Sequence, residues 1–426
     1  MNLRLFPLFL SSCSLLWADP FSDPTPHLRI DTEMHLGAIN RISVDQAESL
    51  LVTASNDKTV KIWHLDKQRL GELQRTIRLP ILPENSNAGK AFAVTLSPDG
   101  SLIAVGGYLG SVSLYQTDTG MLVHQIGPMP AVVNHLSFSP DGQFLATGLL
   151  QGHGMRIDQI IKTEKGLQSK LIFSDEDYGE TRCAWIDWSP SSKSESFRLA
   201  ATGWDGLLRV YERQDGQAFQ RVTALDVTPL GGKEPMGCAF HPQKDQIAVG
   251  FYWSPFVEVF DLENDRLQHA FSADVKGLER PNLAAVSWSK DGERLFAAGE
   301  FAEQEAGDRT KVMVWEKGGR GKRVTWNGTS DSITQIVPLK TGNLVIGAHG
   351  PTWKILKGNG ETAFQRTAPT GDIRGAAVRG TFQLSPSGME VAWPLEQHTP
   401  TTAAFSLKEM QSLHPDSPVL GDLRPP

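Results

Sequence analysis

The chain has 426 residues, 40 of them Gly and 26 Pro, with 11 Trp against only 5 Tyr. Hydrophobic residues make up 40% and charged residues 21%, which excludes a wholly disordered chain. A net charge of −7 with no Lys/Arg run excludes a phosphate-tracking nucleic-acid binder, and three Cys exclude a disulfide framework or a thiolate zinc site.

Residues 1–18 carry one charged side chain, Arg4, followed by an apolar run from Leu5 to Trp17 that ends at Ala18. A basic start, a short apolar run and a small residue at the cut form the pattern of an export signal. The run is too short to span a bilayer, which needs ~20 apolar residues, and no later stretch comes close. A second reading takes Leu10-Ser11-Ser12-Cys13 as a lipoprotein box with a lipid anchor at Cys13. Either way, the expected location is periplasmic or secreted.

Downstream, one module recurs. It is a short apolar strand, a turn such as Ser97-Pro98-Asp99-Gly100 or Ser139-Pro140-Asp141-Gly142, and a second strand ending near Gly. A further turn and an alternating third strand complete it. Ser289-Lys290-Asp291-Gly292 and Ser385-Pro386-Ser387-Gly388 are variants of the first turn. Pro sets φ at the second turn position, Asp suits the third and Gly suits the fourth, so the turn has a mechanism. The residues just before it are Val44, Leu96, Phe138, Trp188, Phe240, Trp288, Val337 and Leu384, spaced 52, 42, 50, 52, 48, 49 and 47 apart. That period suits a four-stranded propeller blade and is too long for ankyrin or tetratricopeptide repeats. Strands such as Thr59-Val60-Lys61-Ile62-Trp63 and Leu207-Leu208-Arg209-Val210-Tyr211 alternate, and no long stretch has helical periodicity.

The run Thr53-Ala54-Ser55-Asn56-Asp57-Lys58-Thr59-Val60-Lys61-Ile62-Trp63 resembles a WD-repeat signature, as does the segment from Leu199 to Tyr211. The resemblance covers residues 28–407 and implies an all-β, WD-repeat β-propeller. In that family an Asp closes the turn between second and third strands, which assigns structural-turn roles to Asp57 and Asp205. Trp63 and Trp315 match the Trp that ends the third strand. Leu109 replaces the Asp in blade two, and blade five is degenerate. Seven blades plus one appended short module are expected, with eight blades as the alternative. The boundaries are 1–18 for the signal, 19–370 for the propeller and 371–426 for the extra module and tail. The alternating segment Leu28–Glu33 is expected to close the ring by pairing with the last blade. The passage from Asp372 to Ser385 also resembles bacterial WD-repeat proteins fused to a caspase-like protease, though no protease residue is present.

Sites on such a fold must be argued residue by residue. No hydrolase, zincin, phosphate-loop or dinucleotide motif is found, so no catalytic residue, cofactor or metal is assigned. His135, His153, His241 and His349 read as structural or solvent-exposed, the acidic runs Asp175–Glu180 and Glu300–Asp308 as solvated loops, and Cys183 and Cys238 as buried free thiols. The most informative constellation is aromatic. The residues taken to lie just past each second strand are Asn56, Tyr108, Leu149, Trp204, Phe251, Glu300 and Ala348. These turns ring one face, so Tyr108, Trp204, Phe251, Tyr252 and Trp253 are either binding anchors for a protein or peptide partner or packing between blades. The expected function is a non-catalytic interaction scaffold or sensor. The alternatives are a propeller enzyme of lactonase or dehydrogenase type, or a remnant of a larger propeller-protease protein.

Overall fold

A computed structural model describes residues 33–368 apart from 82–84, 86, 191–195, 215, 231, 279–281 and 300–309, together with three short strands beyond residue 382. Its described residues form seven four-stranded antiparallel sheets, each built from consecutive strands. The inner strands are Ile39–Val44, Ala91–Leu96, Val133–Phe138, Cys183–Trp188, Pro235–Phe240, Ala285–Trp288 and Ile333–Pro338. Six end on the residue that the repeat spacing marks, and the seventh ends one residue beyond it. No helix among the described residues is long and apolar enough to cross a membrane.

The turn after each inner strand works as its residue types require. Ser139 Oγ donates to Asp141 Oδ1 at 2.6 Å and accepts Phe144 N–H at 2.9 Å, while Gly142 takes φ +73°. Ser97 with Asp99, and Ser289 with Asp291, repeat the arrangement. The variant at 385–388 lies outside the described residues.

Blades are held together by side chains that bond the neighbouring inner strand. Ser43 Oγ accepts Leu96 N–H at 3.0 Å, and Asn134 Nδ2 donates to Cys183 O at 3.0 Å. Glycines near the ends of second strands let the next blade approach. A Cβ at Gly250 would sit 2.1 Å from Leu283 O, and one at Gly347 would sit 2.6 Å from Ile42 Cγ2. The Gly excess therefore serves blade contact as well as turns.

Gly347 belongs to blade seven and Ile42 to blade one, so the ring closes between them. Ile42 N–H donates to Gln335 Oε1 at 3.0 Å, Thr334 Oγ1 donates to Ile39 O at 3.1 Å, and Lys340 N–H donates to Glu48 Oε1 at 2.7 Å. Trp63 and Trp353 meet at 5.6 Å in the shared core. Seven blades close this ring, and the alternative of eight falls. Blade seven draws its four described strands from residues 333–367, and the expected pairing of the Leu28–Glu33 segment with it falls, but for Glu33, outside the described residues. Residues 28–32 lie outside the described residues. The short module is a separate three-stranded sheet of Gln383–Leu384, Glu390–Pro394 and Thr402–Ser406. Residues 1–32, with the export-signal and Cys13 readings, and most of the passage from 372 to 385 lie outside the described residues.

One inter-blade bond has a pH signature. Asp187 Oδ2 accepts Phe240 N–H at 2.8 Å. Burial pushes this carboxyl up to about 7, against the pull of that N–H and of Lys290. The folded chain thus holds the proton more tightly than the unfolded one between pH ~4 and ~7, and stability falls as pH rises through that window. Asp187→Asn keeps an acceptor and removes the charge. We expect the variant to be about 1–2 kcal/mol more stable than wild type at pH 8 and equal to it at pH 4. Urea unfolding at the two pH values checks this, and a variant less stable at pH 8 contradicts it.

Candidate binding face

In five blades the residue after the second strand is fixed by one recurring bond. Its N–H returns to the carbonyl just before the inner strand: Asn56 to Ala38 at 3.0 Å, Leu150 to Val132 at 3.1 Å, Trp204 to Arg182 at 3.2 Å, Tyr252 to Glu234 at 3.0 Å and His349 to Ser332 at 2.9 Å. These positions are equivalent and share one face. Tyr108 is the residue that follows the second strand of blade two.

This ring corrects the sequence-based register by one residue in three blades. Leu149, Phe251 and Ala348 are the last residues of their second strands, not the first beyond them. Side chains alternate along a strand, so a slip of one residue turns an outward position inward. Phe251 is accordingly buried completely, in the core between blades four and five, and is not a surface anchor. Tyr252 takes its place as the counterpart of Trp204. Glu300 lies outside the described residues.

Four of the five predicted anchors remain on the face, and three of them touch. Trp204 stacks on Tyr252 with ring centroids 5.6 Å apart and planes 25° apart, and Trp253 meets Tyr252 edge-on at 4.8 Å. Trp253 is 69% exposed and holds φ +60°, a region costly for a bulky residue. Arg182 lays its guanidinium 3.4 Å from the Trp204 ring centroid. Burial pushes the Arg182 pKa down, while Glu234, Tyr252 and Tyr108 lie close enough to oppose that shift. Tyr108, from blade two, packs on Phe92 at 5.2 Å instead of on Trp204.

Below the rim is a layer that sequence reasoning missed. Inner strands carry a β-bulge beside their first residue, as between Ile39 and Arg41 and between Cys183 and Trp185. Bulges re-aim the following side chain. Arg41 of blade one and Trp185 of blade four meet at 4.7 Å although their blades are not neighbours, so the contact crosses the channel. His135 of blade three packs on Trp185 at 4.4 Å. Burial, reinforced by Arg41, pushes the His135 pKa well below its ordinary value, so the imidazole is neutral at physiological pH.

Asp57 and Asp205 both bond within their turns, but to different partners. Asp57 Oδ1 accepts Thr59 N–H at 2.9 Å and its hydroxyl at 2.6 Å. Asp57 Oδ2 accepts Leu36 N–H at 2.9 Å and bonds His35 Nδ1 at 3.0 Å. His35 Nε2 continues to Thr53 Oγ1 at 2.6 Å, which accepts Trp63 Nε1–H at 2.9 Å. The relay runs in one direction if His35 carries its proton on Nδ1, the tautomer the network selects. Asp205 pairs instead with the fully buried Arg209, which also donates to Asp177 O and lies over the Tyr178 ring.

Part of the acidic run 175–180 is therefore engaged internally. Arg221 reaches Asp175 at 3.2 Å and Asp177 at 2.9 Å, and Tyr211 OH donates to Asp175. Most of the second acidic run lies outside the described residues. Cys183 and Cys238 are both buried free thiols. Among the described residues, no three His, Cys, Asp or Glu side chains gather as metal ligands.

Comparison with known proteins agrees with this geometry. The family model described as WD domain, G-beta repeat matches residues 29–64 and 122–157. The chain is 30% identical over 175 residues to the small ribosomal subunit protein RACK1 of Caenorhabditis elegans, covering 40% of this chain and 49% of that protein. It is 26% identical over 189 residues to the small ribosomal subunit protein RACK1y of Oryza sativa subsp. japonica, covering 42% and 49%. The chain thus spans about half the length of these curated relatives. Among solved structures, the crystal structure of Saccharomyces cerevisiae Sqt1 superposes with a TM-score of 0.59 at 13% identity, over 84% of this chain and 94% of that one. A closed ring of seven four-stranded blades, with a fold shared by a solved propeller, makes this chain a seven-bladed β-propeller, and two of its stretches match the WD-repeat model.

Proposed function

We propose that the chain is a non-catalytic scaffold, exported by the segment 1–18, whose Trp204–Tyr252–Trp253 face captures a protein or peptide partner. The observation that carries the reading is Trp253. A large aromatic side chain held 69% exposed at φ +60° contributes little to the core it leaves. It stands on Tyr252, which is stacked on Trp204, so it is pre-ordered for contact. Rigid aromatic anchors of this kind carry a large share of binding energy at protein interfaces. Propellers commonly serve as interaction platforms, and the relatives' names place them in an assembly, the small ribosomal subunit.

The expected result for Trp253→Ala is a loss of partner affinity of about 30-fold or more, with unfolding stability changed by less than about 0.5 kcal/mol. Peptides selected on the full chain from a random display library provide the binding readout, and urea unfolding provides the other. A large stability loss with unaltered peptide binding would show that Trp253 is a packing residue and defeat the proposal.

A further inference from the structure

The channel mouth beneath this face has a surplus of positive charge with no internal match. Arg41 is 8% exposed, and its Nη1 donates to Asn40 O at 2.8 Å. Its Nε is buried with no hydrogen-bond partner in the protein. No carboxylate among the described residues forms an ion pair with it. The Trp185 ring lies against it, and the charge of a second guanidinium, Arg182, acts on it. Burial and Arg182 together lower the Arg41 pKa to about 10, so it stays charged at neutral pH. Burying a charge beside a like charge is costly unless an anion completes the site.

The surrounding groups do not supply that anion. Glu234 lies near Arg182 and offsets one of the two charges. His135 is neutral, and the Asp187 charge acts on neither guanidinium. The mouth therefore keeps a net charge of about +1, suited to one carboxylate. Three more polar atoms there lack partners in the protein, His135 Nδ1 among them. Trp204 Nε1 is a buried donor and Glu234 Oε2 a buried acceptor. A peptide group offers the complements of both, a C=O and an N–H.

We propose that the mouth is a carboxylate seat. A peptide strand crosses the aromatic rim, bonds Trp204 Nε1 and Glu234 Oε2 through its backbone, and lowers an acidic side chain onto Arg41 and Arg182. This rests on the aromatic face being a peptide site. A side chain is favoured over a chain terminus because the rim anchors come from blades two, four and five, so an occupant touching them passes over the channel.

The test uses the full chain and peptides selected on it from a random display library. Each peptide is made as selected, with its acidic residue changed to the amide, and with its C-terminus amidated. Acid-to-amide exchange should weaken binding at least 10-fold on wild type and less than 2-fold on Arg41→Gln. Arg41→Lys, which keeps the charge, should retain the preference for the acid. Where Arg41→Gln fails to fold, Arg182→Gln takes its place in the same cycle.

Equal losses in both backgrounds overturn the seat. So does a selection without acidic residues, or affinity that depends only on the C-terminal carboxylate. Peptides that need Trp253 yet ignore the acid sink the seat and leave the aromatic face standing. Acid-dependent peptides indifferent to Trp253→Ala do the reverse. A library that yields no binder overturns both.

Discussion

Asp57→Ala is expected to lower the unfolding free energy by about 3 kcal/mol or more at pH 7. The carboxylate accepts from His35, Leu36 N–H and both the backbone and hydroxyl of Thr59. Its removal leaves the His35 Nδ1–H without its carboxylate acceptor in a side chain with no solvent exposure. Breaking a buried pair from one side costs about 3–5 kcal/mol because the remaining group cannot rehydrate. The depressed carboxyl pKa points to a similar figure. Burial pushes the Asp57 carboxyl up, but His35, Thr59 and Leu36 more than reverse this and hold it down at about 2, from an ordinary 3.8. At about 1.4 kcal/mol per unit, the difference is worth roughly 2.5 kcal/mol.

The folded pKa is depressed, so the contribution is complete above pH ~4 and disappears as pH falls through ~2. Asp57→Asn keeps one acceptor oxygen but loses the charge. It should cost about half as much at pH 7 and draw level with wild type near pH 2. Thr53→Val interrupts the same relay between Trp63 and His35, so its effect and that of Asp57→Ala should not add. Urea unfolding of the variants at pH 7 and pH 2.5 measures all of these quantities. A loss below 1 kcal/mol for Asp57→Ala would remove the relay as a stabilising unit.

Much of the fold is legible in the sequence because its turns have fixed chemistry. Ser-x-Asp-Gly can do little other than close a hairpin, so counting those turns locates the inner strands and sets the blade period. Asp57 and Asp205 are legible for the same reason. The binding face is not, because the second strands are buried on both sides. The strand Leu102–Gly107 is buried at five of its six positions, and Phe144–Leu149 at all six. An alternation that would mark the last residue is therefore absent, and Phe251 stands in for Tyr252 in the sequence-based ring. Arg41 escapes notice for a different reason. Its direction depends on a bulge, and a bulge leaves no consistent sequence mark in Ile39-Asn40-Arg41, Cys183-Ala184-Trp185 or Ile333-Thr334-Gln335. Nor does the spacing reveal His35 as the partner of Asp57, since it lies 22 residues upstream.

Blade four should show the second large effect, with an asymmetry that blade one lacks. Asp205 occupies the position of Asp57, but its partner is a guanidinium with no solvent exposure, whereas the Asp205 side chain is 16% exposed. Burial works against the Arg209 charge, and the Asp205 carboxylate reverses this and holds it firmly protonated. Asp205→Ala strands that charge, which keeps Asp177 O and the Tyr178 face as contacts among the described residues. We expect a loss of about 3–5 kcal/mol. Arg209→Met leaves a carboxylate that solvent can partly reach and an apolar side chain where the stem was buried, so its loss should be smaller, about 1–2 kcal/mol. The double variant carries neither charge and should regain most of the difference, because an apolar replacement of a buried pair is often close to neutral. A cycle of four urea denaturations gives the coupling directly. If Arg209→Met proves as costly as Asp205→Ala, the guanidinium stabilises blade four through Asp177 and Tyr178 as well, and the Asp would be its orienting partner instead of its necessary counter-charge.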